Sequence, residues 1–183
     1  DHQTINLGNK MSQLKDQLAE SFDLIRTLNG CCGNGGEGFL HEKTFEILKN
    51  QALRVLEEIK EVIEAIDNED RKEILKEASD VIVTVDGLTL LVHKLIGDIG
   101  AATLEVCNNN DLKYTGDLSV AEEWLEHHNS NYNPDQIKET YYISESEFEG
   151  GVWYCVKRES DHKFVKPPRH PKVDLSRFLW RSV

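Results

Sequence analysis

Hydrophobic residues in the first hundred positions recur at spacings of three and four, a pattern that predicts amphipathic helices. One such stripe predicts a first helix over residues 9–28. A second helix is predicted from about Glu42 to Ile66 and a third from about Arg71 to Ile96, separated by an acidic break. The second half of the third helix is apolar on nearly all sides, so it needs burial all round. Because a chain of 183 residues has few helices to cover it, we expect this helix to pack against a partner subunit.

Beyond the third helix the pattern changes from helical to mixed. A fourth helix is predicted over about Ile99 to Asn108, and two short helices over Ser119–His128 and Pro134–Tyr142. Residues 152–159 and 164–166 are rich in aromatic and β-branched side chains, which predicts a β-hairpin.

These elements give a mainly α fold class: a helical bundle completed by oligomerisation, with a small C-terminal β-hairpin. We divide the chain into an N-terminal helix and glycine-rich loop (1–38), a helical core (39–114), and short helices with a hairpin tail (115–183). Five glycines in residues 30–38 predict a mobile loop.

Composition narrows the class of function. The 21 lysines and arginines stand against 33 aspartates and glutamates, a net charge of −12, so a nucleic-acid partner is not expected. No apolar run is long enough to span a membrane and residues 1–30 lack a signal-peptide pattern, so we expect no membrane partner and a cytoplasmic protein. The four cysteines contain no CxxC, which argues against a zinc site or disulfide framework.

The last 33 residues are basic, in contrast to the rest of the chain. Residues 151–183 carry eight lysines and arginines against three acidic side chains. The charge of this tail indicates one of two roles: it binds an anionic ligand, or it packs against the acidic remainder of the protein. Three of its aromatic residues could stack a nucleobase, although aromatic residues on a small hairpin usually form its core: Trp153, Tyr154 and Phe164.

The most informative feature is an acidic stretch with ten carboxylates between Glu57 and Asp80. Glu58 and Glu61 are three residues apart on the second predicted helix, and Glu77 and Asp80 are three apart on the third, so each pair shares a helix face. An antiparallel helical hairpin places the two pairs at one level. Carboxylates that converge beside an apolar core repel each other, and a Mg²⁺ or Mn²⁺ ion removes that cost. The alternative is a solvated acidic face without a metal.

These motifs resemble a known family. EEIKE (57–61) followed by EASD (77–80) is similar to the EExxE…ExxD signature of the all-α NTP pyrophosphatases, the group of MazG and phosphoribosyl-ATP pyrophosphohydrolase. The similarity continues through DVIVTVDGL (80–88) and EVCNNNDLK (105–113). The tail is similar to the C-terminal segment of longer members, so the resemblance covers roughly residues 40–178. Where relatives often carry histidine and arginine, this chain has Cys107-Asn108.

The resemblance implies a Mg²⁺-dependent hydrolase, with Mn²⁺ as a substitute, that cleaves a (d)NTP between the α and β phosphates to give NMP and pyrophosphate. It implies a nucleotide substrate and a homodimer or homotetramer. The expected metal ligands are Glu58, Glu61, Glu77 and Asp80, the expected catalytic residues Glu57 and Glu61, the phosphate-binding residues Asn110 and Lys113, and the candidate nucleotide contacts Lys157, Arg158 and Lys163. The alternatives are hydrolysis of phosphoribosyl-ATP or an alarmone, and a non-catalytic acidic helical interaction module.

Overall fold

The structure, a computed structural model, describes residues 7–29, 44–130 and 139–180. Within these ranges the chain forms five α-helices and a two-stranded sheet: α1 (Leu7–Asn29), α2 (Thr44–Asp67), α3 (Arg71–Leu95), α4 (Ile99–Asn110), α5 (Leu118–Ser130), β1 (Tyr141–Phe148) and β2 (Gly151–Arg158). The chain divides into two compact units, the first formed by Asp1–Ile99 with Leu179–Val183 and the second by Gly100–Phe178. The predicted fold class, mainly helical with a small β-hairpin, is confirmed.

The first unit is built on the antiparallel pair of α2 and α3. A tight turn joins them, with Glu69 in the left-handed region at φ 55°. Asp70 caps α3, since its carboxylate accepts hydrogen bonds from the backbone N–H groups of Lys72 and Glu73 at 3.0 and 3.1 Å. Further along the hairpin, Gln51 Nε2 donates to the Thr84 carbonyl at 3.0 Å. Helix α1 packs on α3, and its Ile25 is buried. All three helices lie within a few residues of their predicted bounds.

The C-terminal residues of the described chain return to the end of α3. Leu179 forms an antiparallel bridge with Gly97, and the Trp180 backbone N–H donates to the Ile96 carbonyl at 2.9 Å. The Trp180 indole Nε1 donates to the His93 carbonyl at 2.5 Å, and its ring lies edge-on to the His93 imidazole at 5.5 Å. These contacts place the C-terminal segment within the first unit, which no sequence pattern predicted.

The second unit has its core between α5 and the β-hairpin. Ala121 of α5 and Cys155 and Val156 of β2 are buried. The two strands are antiparallel, with Tyr141 opposite Arg158 and Phe148 opposite Gly151. Glu149 and Gly150 form the tight turn with φ of 51° and 79°, the conformation that a two-residue hairpin loop requires.

The prediction of a strand over residues 152–159 is correct, and its predicted partner near Phe164 is present only as a short antiparallel bridge. Phe164 pairs with Lys157, flanked by backbone hydrogen bonds from Arg158 to the Lys163 carbonyl and from Val165 to the Val156 carbonyl, both at 3.0 Å. The long paired strand, which no pattern predicted, is residues 141–148. That segment also replaces the end of the helix predicted over Pro134–Tyr142. Its polar ISESE stretch obscures the strand, because the second half of the strand is exposed on both faces and carries polar side chains at 145–147. Residues 134–138 and the glycine-rich loop at 30–38 lie outside the described residues.

No helix in the described ranges is both long and apolar enough to cross a lipid bilayer.

Candidate active site

Three carboxylates from α2 and α3 converge on one point of the helical hairpin. Glu58 comes from α2, and Glu77 and Asp80 come from consecutive turns of α3. One oxygen from each of the three lies within 4.8 Å of the other two. The spacing of three residues on α3 and the antiparallel pairing with α2 produce this cluster, which we call the carboxylate triad.

Burial sets Glu77 apart from ordinary surface acids. Its residue is only 4% exposed, whereas Glu58 and Asp80 are partly buried. Its Oε2 atom is buried without a hydrogen-bond partner. A buried carboxylate oxygen without a donor is costly unless a cation or water satisfies it. The donor set, three carboxylate oxygens at short mutual distances, fits a hard divalent cation such as Mg²⁺ or Mn²⁺.

Glu61, the fourth predicted ligand, is exposed and lies beside this triad rather than within it. The nearby carboxylate of Glu77 raises the pKa of Glu61, both by competing for a shared proton and through its negative charge. An acidic recess of about 340 Å³ opens at this end, lined by Glu61, Glu64, Asp70, Glu73 and Glu77. A recess of this composition accepts cations, and it can receive phosphate groups only together with them.

Lys76 is the member of the site that sequence analysis missed. Its ammonium group contacts the Glu77 carboxylate, donates to Glu73 Oε1 at 3.3 Å and lies 3.9 Å from Asp80 Oδ2. The hydrogen bonds to Glu77 and Glu73 raise the pKa of Lys76, and the bond from Lys76 in turn lowers the pKa of Glu77. Lys76 therefore partly neutralises the triad from its exposed side.

Lys76→Met is expected to tighten Mn²⁺ binding several-fold, because the ammonium group competes with a divalent cation for the same carboxylates. Isothermal titration with Mn²⁺ measures this. The matched control is Lys72→Met, one turn earlier on the exposed surface of α3. Binding that is unchanged or weaker in Lys76→Met would contradict the competition.

Glu57, Asn110 and Lys113, the other residues predicted to take part in the reaction, are not members of the carboxylate triad. Glu57 is exposed on α2. Asn110 ends α4 and Lys113 closes the short 3₁₀ turn that follows, both in the second unit. Lys113 Nζ donates to Asn110 Oδ1 at 2.6 Å, so these two form one local polar pair.

The three basic residues predicted to contact nucleotide have different surroundings. Lys157 Nζ lies 4.9 Å above the centre of the Phe164 ring. Arg158 is bound on two sides by Asp161, with Nε donating to Oδ1 at 3.1 Å and Nη2 to Oδ2 at 2.5 Å. Lys163 is exposed and lowers the pKa of Asp161 together with Arg158, whose hydrogen bond is the larger cause. Arg158 is thus engaged within the tail itself.

A known family model matches the part of the chain that contains the triad. Residues 48–101 match the sequence model of the MazG nucleotide pyrophosphohydrolase domain, a family that generally uses a divalent metal. The matched segment contains all three triad residues and ends before Asn110 and the β-hairpin. No curated protein and no solved structure matches the chain. The predicted resemblance is therefore confirmed for this segment: residues 48–101 are MazG-like, and the match indicates a hydrolase that acts on nucleotide phosphoanhydrides.

Proposed function

We propose that the protein is a Mg²⁺-dependent nucleoside triphosphate pyrophosphohydrolase that cleaves (d)NTP between the α and β phosphates to NMP and pyrophosphate. The observation that carries the proposal is the carboxylate triad, with three oxygens within 4.8 Å of one another and one buried Glu77 oxygen without a partner. Lys76 pairs with Oε1 of Glu77, so the buried Oε2, which has no partner, is the atom that supports a bound cation.

In this proposal Glu58, Glu77 and Asp80 hold the metal. A divalent cation bound there would supply the positive charge that an acidic protein needs to bind a triphosphate and would make a bound water more acidic. The buried position of Glu77 fixes one ligand rigidly, while the partly exposed Glu58 and Asp80 leave the other side of the site open to substrate.

Glu61 and Glu57 act on the attacking water. Glu61 lies against Glu77, which raises the pKa of Glu61 and makes this carboxylate a better proton acceptor. Because Glu61 is exposed at the end of the acidic recess, it can also serve as a fourth ligand once a cation compensates its repulsion from Glu77. Glu57 directly precedes Glu58 on α2 and is exposed. Its role is secondary: it helps to orient the attacking water.

Asn110 and Lys113 bind the substrate phosphates. Their mutual hydrogen bond holds the ammonium group of Lys113 at a fixed position, and a lysine contributes a point charge to a phosphate. Lys157 and Lys163 contribute further positive charge, whereas Arg158 would first have to leave Asp161.

We also propose that the protein assembles with a second copy of itself, through α2 in addition to the apolar second half of α3 for which a partner was expected. Leu56, Ile59, Ile63 and Ile66 recur at spacings of three and four and are 40–53% exposed. The opposite stripe of α2, which contains Gln51 and Glu58, faces α3. An apolar stripe of four branched side chains along a helix is typical of a helix–helix interface. A self-complementary contact between two α2 helices would cover it in both copies.

The direct test is to incubate the protein with each common NTP and dNTP and Mg²⁺, and to identify products by ³¹P NMR. We expect pyrophosphate and the matching monophosphate, with no diphosphate or orthophosphate in the first turnovers. A divalent metal should also raise the stability of the protein, by about 4 kcal/mol at a metal concentration a thousand times Kd. Release of orthophosphate as the primary product, or no metal-dependent stabilisation, would refute the proposal.

A further inference from the structure

The second unit contains a cavity that the proposed reaction does not use. It has a volume of about 740 Å³ and lies on one face of the β-hairpin. Its lining includes the aromatic residues Tyr114, Phe148, Trp153 and Phe164. A cavity of this size matches the volume of pockets that take nucleotide-sized ligands.

The register of the hairpin explains why these residues share one face. Trp153 stands opposite Ser146, and Phe148 stands opposite Gly151. Since side chains alternate along a strand, Trp153, Cys155 and Lys157 of β2 point to the same side as Ser146 and Phe148 of β1. The face therefore runs from apolar aromatic rings at the turn to an ammonium group at Lys157.

The aromatic rings that line the cavity remain partly exposed to solvent. Phe148 is 65% exposed, Phe164 51%, Tyr114 40% and Trp153 38%. Val156 and Ala121 are buried elsewhere in the unit, and the buried Cys155 lines the cavity beside the rings. The edge of Tyr114 rests against Trp153 with ring centres 5.4 Å apart, and Trp153 Nε1 donates to the Phe148 carbonyl at 3.3 Å. These contacts fix the indole in place while much of its surface stays open.

Polar groups of the cavity suit the edge of a nucleobase. Ser146 and Glu149 lie in the lining beside the rings, and Gly150 and Gly151 present backbone without side chains. The Ser146 hydroxyl and the Glu149 carboxylate can pair with the amino and ring-nitrogen positions of a base. An aliphatic ligand would leave these groups unpaired.

Lys157 adds the charge that distinguishes a nucleotide from a neutral aromatic molecule. Its ammonium lies over Phe164, a ring that lines the cavity. Among the residues that the structure describes, no carboxylate is within salt-bridge distance of it. An aromatic platform beside a free cation is the combination with which proteins bind bases and their phosphates.

We propose that this cavity binds a mononucleotide, with the base stacked among Trp153, Phe148 and Phe164 and the phosphate directed to Lys157. The inference goes beyond the proposed reaction, because the cavity lies within the second unit and needs neither the carboxylate triad nor a metal. Of the residues given a role in that reaction, this site shares only Lys157. It assigns a nucleotide-binding role to the basic hairpin tail.

The test uses the full chain in EDTA, so that metal-dependent binding at the triad does not contribute. Binding of dAMP is followed by ligand-observed NMR and by quenching of tryptophan fluorescence. We expect Phe148→Ala to weaken dAMP binding about tenfold, which lies within the range that stacking of a base on an aromatic ring contributes. Lys157→Gln should lower the affinity for dAMP to that for deoxyadenosine. In Trp153→Phe, dAMP should no longer quench the tryptophan fluorescence. In Trp180→Phe, which changes a tryptophan of the first unit, the quenching by dAMP should persist.

Two controls make the outcome decisive. Phe45→Ala removes an equally exposed ring from α2 in the first unit and should leave dAMP binding unchanged. Ribose 5-phosphate carries the anion without a base and should bind much more weakly than dAMP. If it binds as well as dAMP, or if Phe148→Ala and Lys157→Gln both bind like the parent protein, the proposal is wrong. Asp80→Asn should bind dAMP normally, so failure of the proposed hydrolysis and failure of this site are separable.

Discussion

Asp80→Asn is expected to lower the rate of pyrophosphate release at least a hundredfold. Asp80 supplies one of three carboxylate oxygens within 4.8 Å of each other, and an amide oxygen is neutral and binds a divalent cation more weakly. Loss of residues that only support metal ligands lowers metal affinity or activity about 10–100-fold, so loss of a ligand itself should be at least as severe. Initial rates at saturating Mg²⁺, with the most active nucleotide, measure the effect.

The same variant should fold at least as well as the parent protein without metal. Removing one negative charge from the carboxylate triad reduces repulsion with Glu58 and Glu77. Thermal denaturation in EDTA therefore separates a catalytic loss from unfolding. Asp67→Asn, the same chemical change at the exposed end of α2, is the matched control and should retain full activity. Normal turnover by Asp80→Asn would remove Asp80 from the metal site.

Ile63→Asp is expected to convert the proposed oligomer into monomers. Ile63 is 53% exposed in the middle of the apolar stripe of α2, where a second copy would cover it. A symmetric contact presents the new carboxylate twice, and an unpaired buried carboxylate costs several kcal/mol. The dissociation constant should rise by at least about a thousandfold, since each 1.4 kcal/mol is a factor of ten. Analytical ultracentrifugation over a range of concentrations measures it.

Ile63→Leu is the control, because it keeps an apolar side chain of the same volume and should keep the oligomer. Circular dichroism checks that Ile63→Asp remains helical, which is expected since the side chain is exposed within the single chain. If Ile63→Asp has the same mass in solution as the parent protein, α2 is not the interface.

The helical part of the fold could be predicted closely because it follows from local periodicity. The acidic break at Asp67–Asp70 contains Asp70, the residue that caps α3. Residues close together in the sequence therefore specify the hairpin of α2 and α3. The convergence of Glu58, Glu77 and Asp80 follows from the same two spacings. Their role as metal ligands remains a prediction that the variants above test.

Other features depend on contacts that sequence spacing does not encode. In the sequence, Lys76 resembles any other exposed lysine on an acidic helix. Only the structure shows that its ammonium group lies close to Glu73, Glu77 and Asp80, and so belongs to the site. The strand β1 was not predicted, because its exposed half is polar. The sequence pattern paired β2 with the more hydrophobic segment near Phe164 instead. Trp180 lies 87 residues from His93, beyond the range of any local pattern.

The pairing of Leu179 with Gly97 has a consequence for protein engineering. The chain leaves the first unit after Ile99 and returns to it at Leu179, so the points of exit and return are adjacent. A short peptide linker in place of residues 100–178 would therefore leave the helical hairpin and its carboxylate triad unbroken, while removing Asn110 and Lys113.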